Sequence, residues 1–107
     1  MVFDDGNTRV SVLGQGNSRG QVIRLDEQNR VATFSLNADL GVYSLAVGSA
    51  QKLQNGDYHF DAGYVVEAGG AVSYSIEVDG SGNILYSAKA NTILYRSFRM
   101  MDMYTVN

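Results

Sequence analysis

Residues 21–32 read QVIRLDEQNRVA, and the same pattern returns over residues 74–85 as YSIEVDGSGNIL. The two copies lie 53 residues apart without a gap. Weaker matches flank them: residues 3–6 match residues 60–63, and Tyr43-Ser44 matches Tyr95-Arg96. A fixed period near 50 residues, built from short strand-like runs, is typical of propeller repeats. Because such a repeat cannot bury both of its faces alone, the pattern predicts neighbouring repeats.

Length and composition limit the classes of protein that remain. With 107 residues the chain has room for one small domain, and its 45% hydrophobic content is enough for a core. The net charge of −3 argues against nucleic-acid binding, which needs a basic stripe. Lys and Arg are scattered along the chain, so we expect no polybasic membrane-binding patch.

Other residue counts exclude further functions. The chain has no Cys, which rules out a disulfide, a thiolate zinc site and a thiol nucleophile. Residues 1–5 show neither the basic nor the apolar region of a signal peptide, and no apolar run is long enough to span a membrane. The 12 Gly and 7 Tyr suit short twisted strands joined by tight turns.

Alternation of apolar and polar residues predicts an all-β chain. Asn55-Gly56 is the strongest hairpin turn, and residues 62–70 form a turn region in which Val65-Val66 make a short strand. Composition alone also allows a helix over 43–53 or 93–106, but the repeat favours strands there. The predicted strands are 2–4 with an extension over 10–13, then 21–26, 30–36, 43–53, 57–61, 72–79, 84–90 and 93–106.

These strands make up two propeller-type blades, over residues 1–42 and 43–90, with a closing strand over 93–106. With strands labelled a to d from the axis outward, the order along the chain is b-c-d, a-b-c-d, a. Two blades cannot close a ring that normally has about four to eight. We therefore expect a partial propeller that either belongs to a longer chain or assembles with itself, a trimer giving six blades. An independent β-sandwich would require the repeat to be coincidental.

Five segments together resemble the C-terminal part of bacterial arylsulfotransferase-like proteins, which are six-bladed β-propellers. The resemblance covers essentially the whole chain and depends on the order and spacing of the segments. They are residues 3–7 (FDDGN), Ser18-Arg19 ahead of 22–26 (VIRLD), Tyr43-Ser44, 48–57 (GSAQKLQNGD) and 95–99 (YRSFR).

The resemblance implies sulfuryl transfer from an aryl sulfate to a phenol through a sulfated histidine, without a cofactor. That chemistry needs an unprotonated imidazole and groups that hold the sulfonate oxygens. The family's catalytic histidines and sulfonate-binding arginine lie upstream of the segment matched here by residues 3–7, so no catalytic residue is carried over. We expect the chain to be inactive alone, and the resemblance implies a periplasmic or extracellular location. The alternative is a non-catalytic, self-assembling module for scaffolding or small-ligand binding.

His59 is the only histidine. It is either a nucleophile or metal ligand, or a cross-strand residue on a blade face. One histidine without a second histidine or cysteine is too little for a typical zinc site, so we predict no metal. No Ser-His-Asp set can be argued from spacing.

Three arginines are candidates for binding an anion such as a sulfate ester: Arg19, Arg96 and Arg99. The alternative is that they are solvated, or that they pair with Asp102 or Glu77. Ser44 and Ser49 lie near the expected inner strand and could face a channel. A small aromatic or sulfated ligand is therefore a candidate partner.

Two glycine-containing segments resemble ligand loops but are better explained as turns and loops. Residues 79–83 resemble the start of a calcium loop but lack its third acidic position and its distal Glu, so a hairpin turn explains them. Residues 14–20 nearly fit a phosphate-binding glycine pattern, but we read them as an inter-strand loop. The seven tyrosines pack the blades or stack on an aromatic ligand.

Overall fold

The computed structural model describes residues 1–14 and 16–100 and contains two antiparallel sheets that do not close into a ring. The first sheet has the order β1-β2-β3 and the second the order β4-β5-β6-β7. The elements are β1 (Val2–Asp4), α1 (Asn7–Leu13), β2 (Arg19–Asp26), β3 (Val31–Asp39), β4 (Gly48–Lys52), β5 (Tyr58–Glu67), β6 (Gly70–Val78) and β7 (Ile84–Ala90). The all-β prediction is confirmed, and the sequence repeat falls on the hairpins β2–β3 and β6–β7.

Both repeat hairpins turn on an aspartate that binds an asparagine. Asp26 accepts hydrogen bonds from the backbone and side-chain amides of Asn29. Asp79 accepts the same pair of bonds from Asn83. Asx side chains that bond the backbone a few residues on favour turns over continued strand. The hairpin reading of residues 79–83 is thus confirmed, with the Asp79 carboxylate bonded within its own turn.

The core lies between the two sheets, which pack face to face. Phe60, the largest fully buried side chain among the described residues, lies against Gly20 of β2, and Phe3 of β1 lies over Gly48 of β4. A Cβ at residue 20 would overlap the Phe60 ring, so glycine is required there for the sheets to approach. The buried apolar residues are Leu36, Ala38, Leu40, Phe60, Ala62, Val65, Val72, Ile76 and Val78.

The predicted strand extension over residues 10–13 is wrong, because these residues belong to α1. Gly14 adopts a left-handed conformation and donates its N–H to the Val10 carbonyl, a common way for a helix to end. Before the helix, Asp4 and Asp5 accept the N–H groups of Gly6 and Asn7. These local bonds outweigh the apolar alternation that indicated a strand.

Two other predicted boundaries need correction. The strand expected over 43–53 begins only at Gly48, because Ser44 binds the carbonyls of Ala46 and Val47 and holds the preceding residues in a loop. The turn expected over 62–70 is confined to its end: β5 runs unbroken to Glu67, with an irregularity in its pairing between Ala62 and Val65.

The closing strand expected over 93–106 is not found over 93–100, the part of it that the structure describes. Residues 101–106 lie outside the described residues. Between 94 and 99 the chain is held to the second sheet largely by side chains, and these replace the backbone ladder that a strand would need.

Candidate functional site

One face of the second sheet is polar. Alternation along β5 and β6 sends Phe60 and Ile76 towards the core, and it sends His59 and Glu77 to the opposite face as a cross-strand pair. Residues of β4 on that face add further hydrogen-bonding groups. This polar face consists of Ser49, Gln51, His59, Asp61, Ser73, Ser75 and Glu77.

Residues 94–99, which we call the strap, cross the polar face. The Ser49 hydroxyl exchanges two 3.2 Å hydrogen bonds with the backbone N–H and C=O of Ser97. The Gln51 amide bonds the backbone of Arg99 in the same way, at 2.7 and 3.0 Å. The strap therefore covers side chains of the sheet that would otherwise face solvent.

Where the strap meets the sheet, the side chains of Ser97, His59 and Glu77 form a continuous hydrogen-bonded set, which we call the relay. His59 Nδ1 lies 3.0 Å from Glu77 Oε2, and His59 Nε2 lies 2.9 Å from Ser97 Oγ. A carboxylate only accepts hydrogen bonds, so Nδ1 carries the proton that faces Glu77. In the neutral imidazole, Nε2 then accepts the Ser97 hydroxyl proton. The arrangement is a hydroxyl bonded to a base that a carboxylate orients.

Two neighbours complete the relay at its ends. Ser75 Oγ donates to Ser97 Oγ at 2.9 Å, which leaves the Ser97 proton directed at His59. Arg99 binds the second oxygen of Glu77 at 2.7 Å and forms an ion pair with it. His59 and Glu77 are buried, whereas the Arg99 side chain is 56% exposed.

Asp61 lies on the same face but has no partner among the described residues. Both of its carboxylate oxygens and the Ser73 hydroxyl are buried without a hydrogen bond. Burial raises the pKa of the Asp61 carboxyl from 3.8 to about 6. A buried carboxylate without a partner is costly, so the folded protein keeps this carboxyl protonated to a higher pH than the unfolded chain does.

A cleft opens beside the relay. Its volume is about 580 Å³, within the usual range of small-molecule sites. Tyr86 of β7 and Phe98 of the strap give it two exposed aromatic rings, and Arg99 gives it a cation. The lining residues are His59, Ser75, Glu77, Tyr86, Ala88, Phe98 and Arg99.

The structure brings two of the sequence-predicted site residues, Ser49 and Arg99, to this face. Arg99 makes the ion pair with Glu77 that the sequence offered as an alternative to anion binding. Arg96 is exposed, with its guanidinium 5.3 Å from the centre of the Tyr95 ring. Arg19 lies on the first sheet and donates to the Asn37 carbonyl at 3.3 Å.

Ser44 is fully buried in the loop before β4. Its hydroxyl donates to the Ala46 carbonyl at 2.7 Å and accepts the N–H of Tyr64 at 2.9 Å. Its own N–H bonds the Ser18 hydroxyl, which in turn donates to the Asp5 carbonyl. Ser44 and Ser18 thereby tie the first sheet to the second.

Sequence reasoning missed Ser97, Asp61 and the role of Glu77. Alternation places His59 and Asp61 on one face of β5, and this shared face could be predicted from the sequence. The cross-strand register that pairs His59 with Glu77 depends on the irregularity in the β5–β6 pairing between Ala62 and Val65. Ser97 reaches His59 across 38 residues through a segment without strand pairing. No sequence pattern marks that contact.

No protein-family model, no curated protein and no solved structure matches this chain. Across residues 1–14 and 16–100, no helix is both long and apolar enough to cross a membrane. The same residues contain no cluster of three or more His, Cys, Asp or Glu side chains that could hold a metal ion.

Proposed function

We propose that this chain is a propeller-type module that binds a small aromatic ligand. The ligand carries an oxygen that accepts hydrogen bonds, as in an aryl sulfate or a phenol. The observation that carries the proposal is the cleft beside His59, where Tyr86, Phe98 and Arg99 converge. Small-molecule sites combine apolar walls with a few placed polar groups, and this cleft has both.

Each wall of the cleft matches one part of such a ligand. Aromatic rings stack favourably with a second ring in offset or edge-to-face geometry, which Tyr86 and Phe98 offer to the aryl group. A guanidinium binds oxyanions through parallel N–H donors, and the Arg99 side chain is more than half exposed. Because Arg99 already neutralises Glu77, a sulfate ester gains less from this cation than from an unpaired arginine.

The resemblance to arylsulfotransferase-like proteins points to the same ligand class. It implies an aryl sulfate donor and a phenol acceptor, both of which are aromatic and oxygen-rich. The family's catalytic histidines are not carried over to this chain. The proposal therefore assigns ligand binding to this module and leaves sulfuryl transfer out.

A titration with 4-nitrophenyl sulfate, followed by NMR shifts of the cleft residues, tests the proposal. We expect saturable shifts at Tyr86 and Phe98. Arg99→Ala should bind about tenfold more weakly, because it loses one charge-assisted hydrogen bond to the ligand. Arg96→Ala is the matched control, because it removes a strap arginine outside the cleft lining. Absence of saturable binding, or equal losses in both variants, would contradict the proposal.

A second candidate function, assembly with further blades, has its own observation. The outer half of the hairpin β2–β3 is exposed on both faces, although it carries four large apolar residues: Ile23, Leu25, Val31 and Phe34. Ile23 pairs with Phe34, so Ile23, Leu25 and Phe34 share one face of the hairpin, whereas Val31 lies on the other. Contiguous exposed apolar surface like that of the first three is a mark of interaction sites. The partner is either a second copy of this chain, in a trimer for six blades, or the further blades of a longer chain.

Light scattering after size exclusion measures this assembly directly. The trimer predicts three times the chain mass of 11.6 kDa. Replacing Leu25 and Phe34 together by Ser removes apolar surface without touching the buried core, so we expect that variant to dissociate. A wild-type chain that stays monomeric at high concentration would exclude self-assembly.

A further inference from the structure

We propose that Ser97 is an acyl-accepting nucleophile and that the cleft is the site of an esterase acting on aryl esters. This goes beyond ligand binding and shares its cleft, so it rests on the proposed function for the placement of the aryl group. In the relay, His59 lies 2.9 Å from Ser97 Oγ and 3.0 Å from Glu77 Oε2.

These contacts meet the geometric requirement for an activated serine. A hydroxyl is a weak nucleophile until an adjacent base accepts its proton, and the two must lie within about 2.6–3.2 Å. The base must in turn be held in one tautomer by an acceptor on its other nitrogen. Glu77 has that position, and its burial keeps water from competing for His59 Nδ1.

The neighbours of the relay support a reactive role. Ser75 donates to Ser97, so the Ser97 lone pairs and proton are oriented before any substrate arrives. Arg99 is the cation nearest to Glu77 and lines the same cleft, where it can stabilise the oxyanion of a tetrahedral intermediate. Tyr86 and Phe98 flank the space that an aryl leaving group would fill.

The reaction balances with water as the only co-reactant. Ser97 Oγ bonds to the ester carbonyl carbon while its proton passes to His59 Nε2. The bond from that carbon to the aryl oxygen breaks, the aryl oxygen takes the proton from His59, and the phenol leaves. Water then attacks the acyl-serine and gives a proton to His59. The Ser97–acyl bond breaks, the carboxylic acid leaves, and Ser97 recovers its proton.

In this reaction Ser97 and His59 are the catalytic residues and Glu77 is a positioning residue. Replacing Glu77 by Gln keeps the shape but offers an amide in place of the carboxylate, so the imidazole loses its charged partner. General acid–base contributions are about 10²–10⁴-fold, and we expect Glu77→Gln to slow acylation by at least about a hundredfold. Glutamine leaves the volume of the site unchanged, so thermal unfolding reports separately on the fold.

The experiment treats the whole chain with a fluorophosphonate probe, which replaces its P–F bond by a bond to an activated serine oxygen. The modified residue is located by mass spectrometry, and 4-nitrophenyl acetate hydrolysis is followed in parallel. We expect the adduct on Ser97, its loss in Ser97→Ala, and its retention in Ser87→Ala, an exposed serine of β7. Loss of labelling in Glu77→Gln with an unchanged unfolding midpoint would support the positioning role.

A folded wild-type chain that acquires no adduct, or acquires it at another residue, would overturn the proposal. Binding of 4-nitrophenyl sulfate separates this failure from failure of the proposed function. Saturable binding without an adduct would leave a ligand-binding module whose relay only fastens the strap. An adduct on Ser97 without binding of the sulfate would support the esterase and reject the aryl sulfate as its ligand.

Discussion

The two copies of the repeat have nearly the same sequence pattern but very different surroundings. Ile76 of β6 is 1% exposed, whereas its counterpart Ile23 of β2 is 39% exposed. Val78 is fully buried, whereas its counterpart Leu25 is 68% exposed. The first sheet covers one face of β6 and the strap covers the other, while the outer half of β2–β3 projects beyond the second sheet. Burial is thus a property of neighbours and not of the repeat.

The largest effect should come from a charge placed at equivalent positions of the two copies. Ile76→Asp buries a carboxylate without a partner, which costs several kcal/mol, and we expect the variant to be unfolded. Ile23→Asp exposes its carboxylate to water and should cost about 1 kcal/mol or less. Urea unfolding of the two variants measures the difference. Equal losses would mean that β2–β3 is buried in solution, as it would be in an assembly.

The next largest effect on stability concerns Asp61 and Asp4, the residue that matches Asp61 in the weaker flanking repeat. Asp61 ionises only above its folded pKa of about 6. Below pH 3.8 the carboxyl is protonated in both the folded and unfolded states and costs nothing. As the pH rises from 3.8 to about 6, only the unfolded chain ionises, so the stability of the fold falls and then remains lower by roughly 3 kcal/mol.

Asp61→Asn should therefore raise the free energy of unfolding at pH 7 by about 1–3 kcal/mol and give no gain at pH 3.5. Asp4→Asn is the matched control: it breaks the ion pair with Arg9 and weakens the bond to Gly6 N–H, so we expect a loss of up to about 1 kcal/mol. Urea unfolding at both pH values measures this. A destabilised Asp61→Asn would show that the carboxylate has a partner in solution.

A smaller effect should follow from loosening the strap. Gln51→Ala removes two hydrogen bonds to the Arg99 backbone, each worth about 0.5–1.5 kcal/mol. We expect faster amide exchange at Arg99 and Ser97, with the core of the second sheet unchanged. Gln54→Ala, an exposed change in the turn after β4, serves as the control. If Gln51→Ala left exchange at Arg99 unaltered, the strap would be held by other contacts.

The smallest effect on stability should come from removing the aspartate of either repeat turn, Asp26 or Asp79. Hydrogen bonds from Asn29 lower the pKa of Asp26, and those from Asn83 lower the pKa of Asp79. A lowered folded pKa stabilises the protein above the unfolded value of 3.8, and that contribution is lost as the pH falls through the folded pKa. Asp26→Ala and Asp79→Ala should each be slightly less stable at pH 7, with a reduced acid dependence. A larger loss for Asp79→Ala would show that tertiary packing amplifies the turn.

Much of the fold could be predicted from local signals. The strand over residues 84–90 was predicted with the bounds that β7 has, and the turns before β3 and β7 follow from Asp and Asn spacing. The helix α1 was missed because Gly6 and Gly14, which bracket it, also suit loops. The end of β5 was misjudged because glycines at 63, 69 and 70 indicate turns, although Gly63 lies within β5 and Gly70 begins β6.

The candidate site could be predicted only in part. His59 and Arg99 were considered from the sequence, and Glu77 was considered only as a partner for an arginine. What joins them is the cross-strand register of β5 and β6, together with the path of the strap. Neither follows from residue spacing, since both depend on which sheet face remains uncovered after the core has formed.

The sequence by itself determined an all-β chain with a repeated hairpin, because period-two alternation and Asx turns act over a few residues. It also excluded cysteine chemistry and a basic nucleic-acid surface through composition alone. The tertiary structure decided which repeat is buried, which carboxylate is left without a partner and which serine meets His59. The physical reason is separation along the chain: Ser97 and His59 are 38 residues apart, and only packing of the strap on the sheet brings them to 2.9 Å.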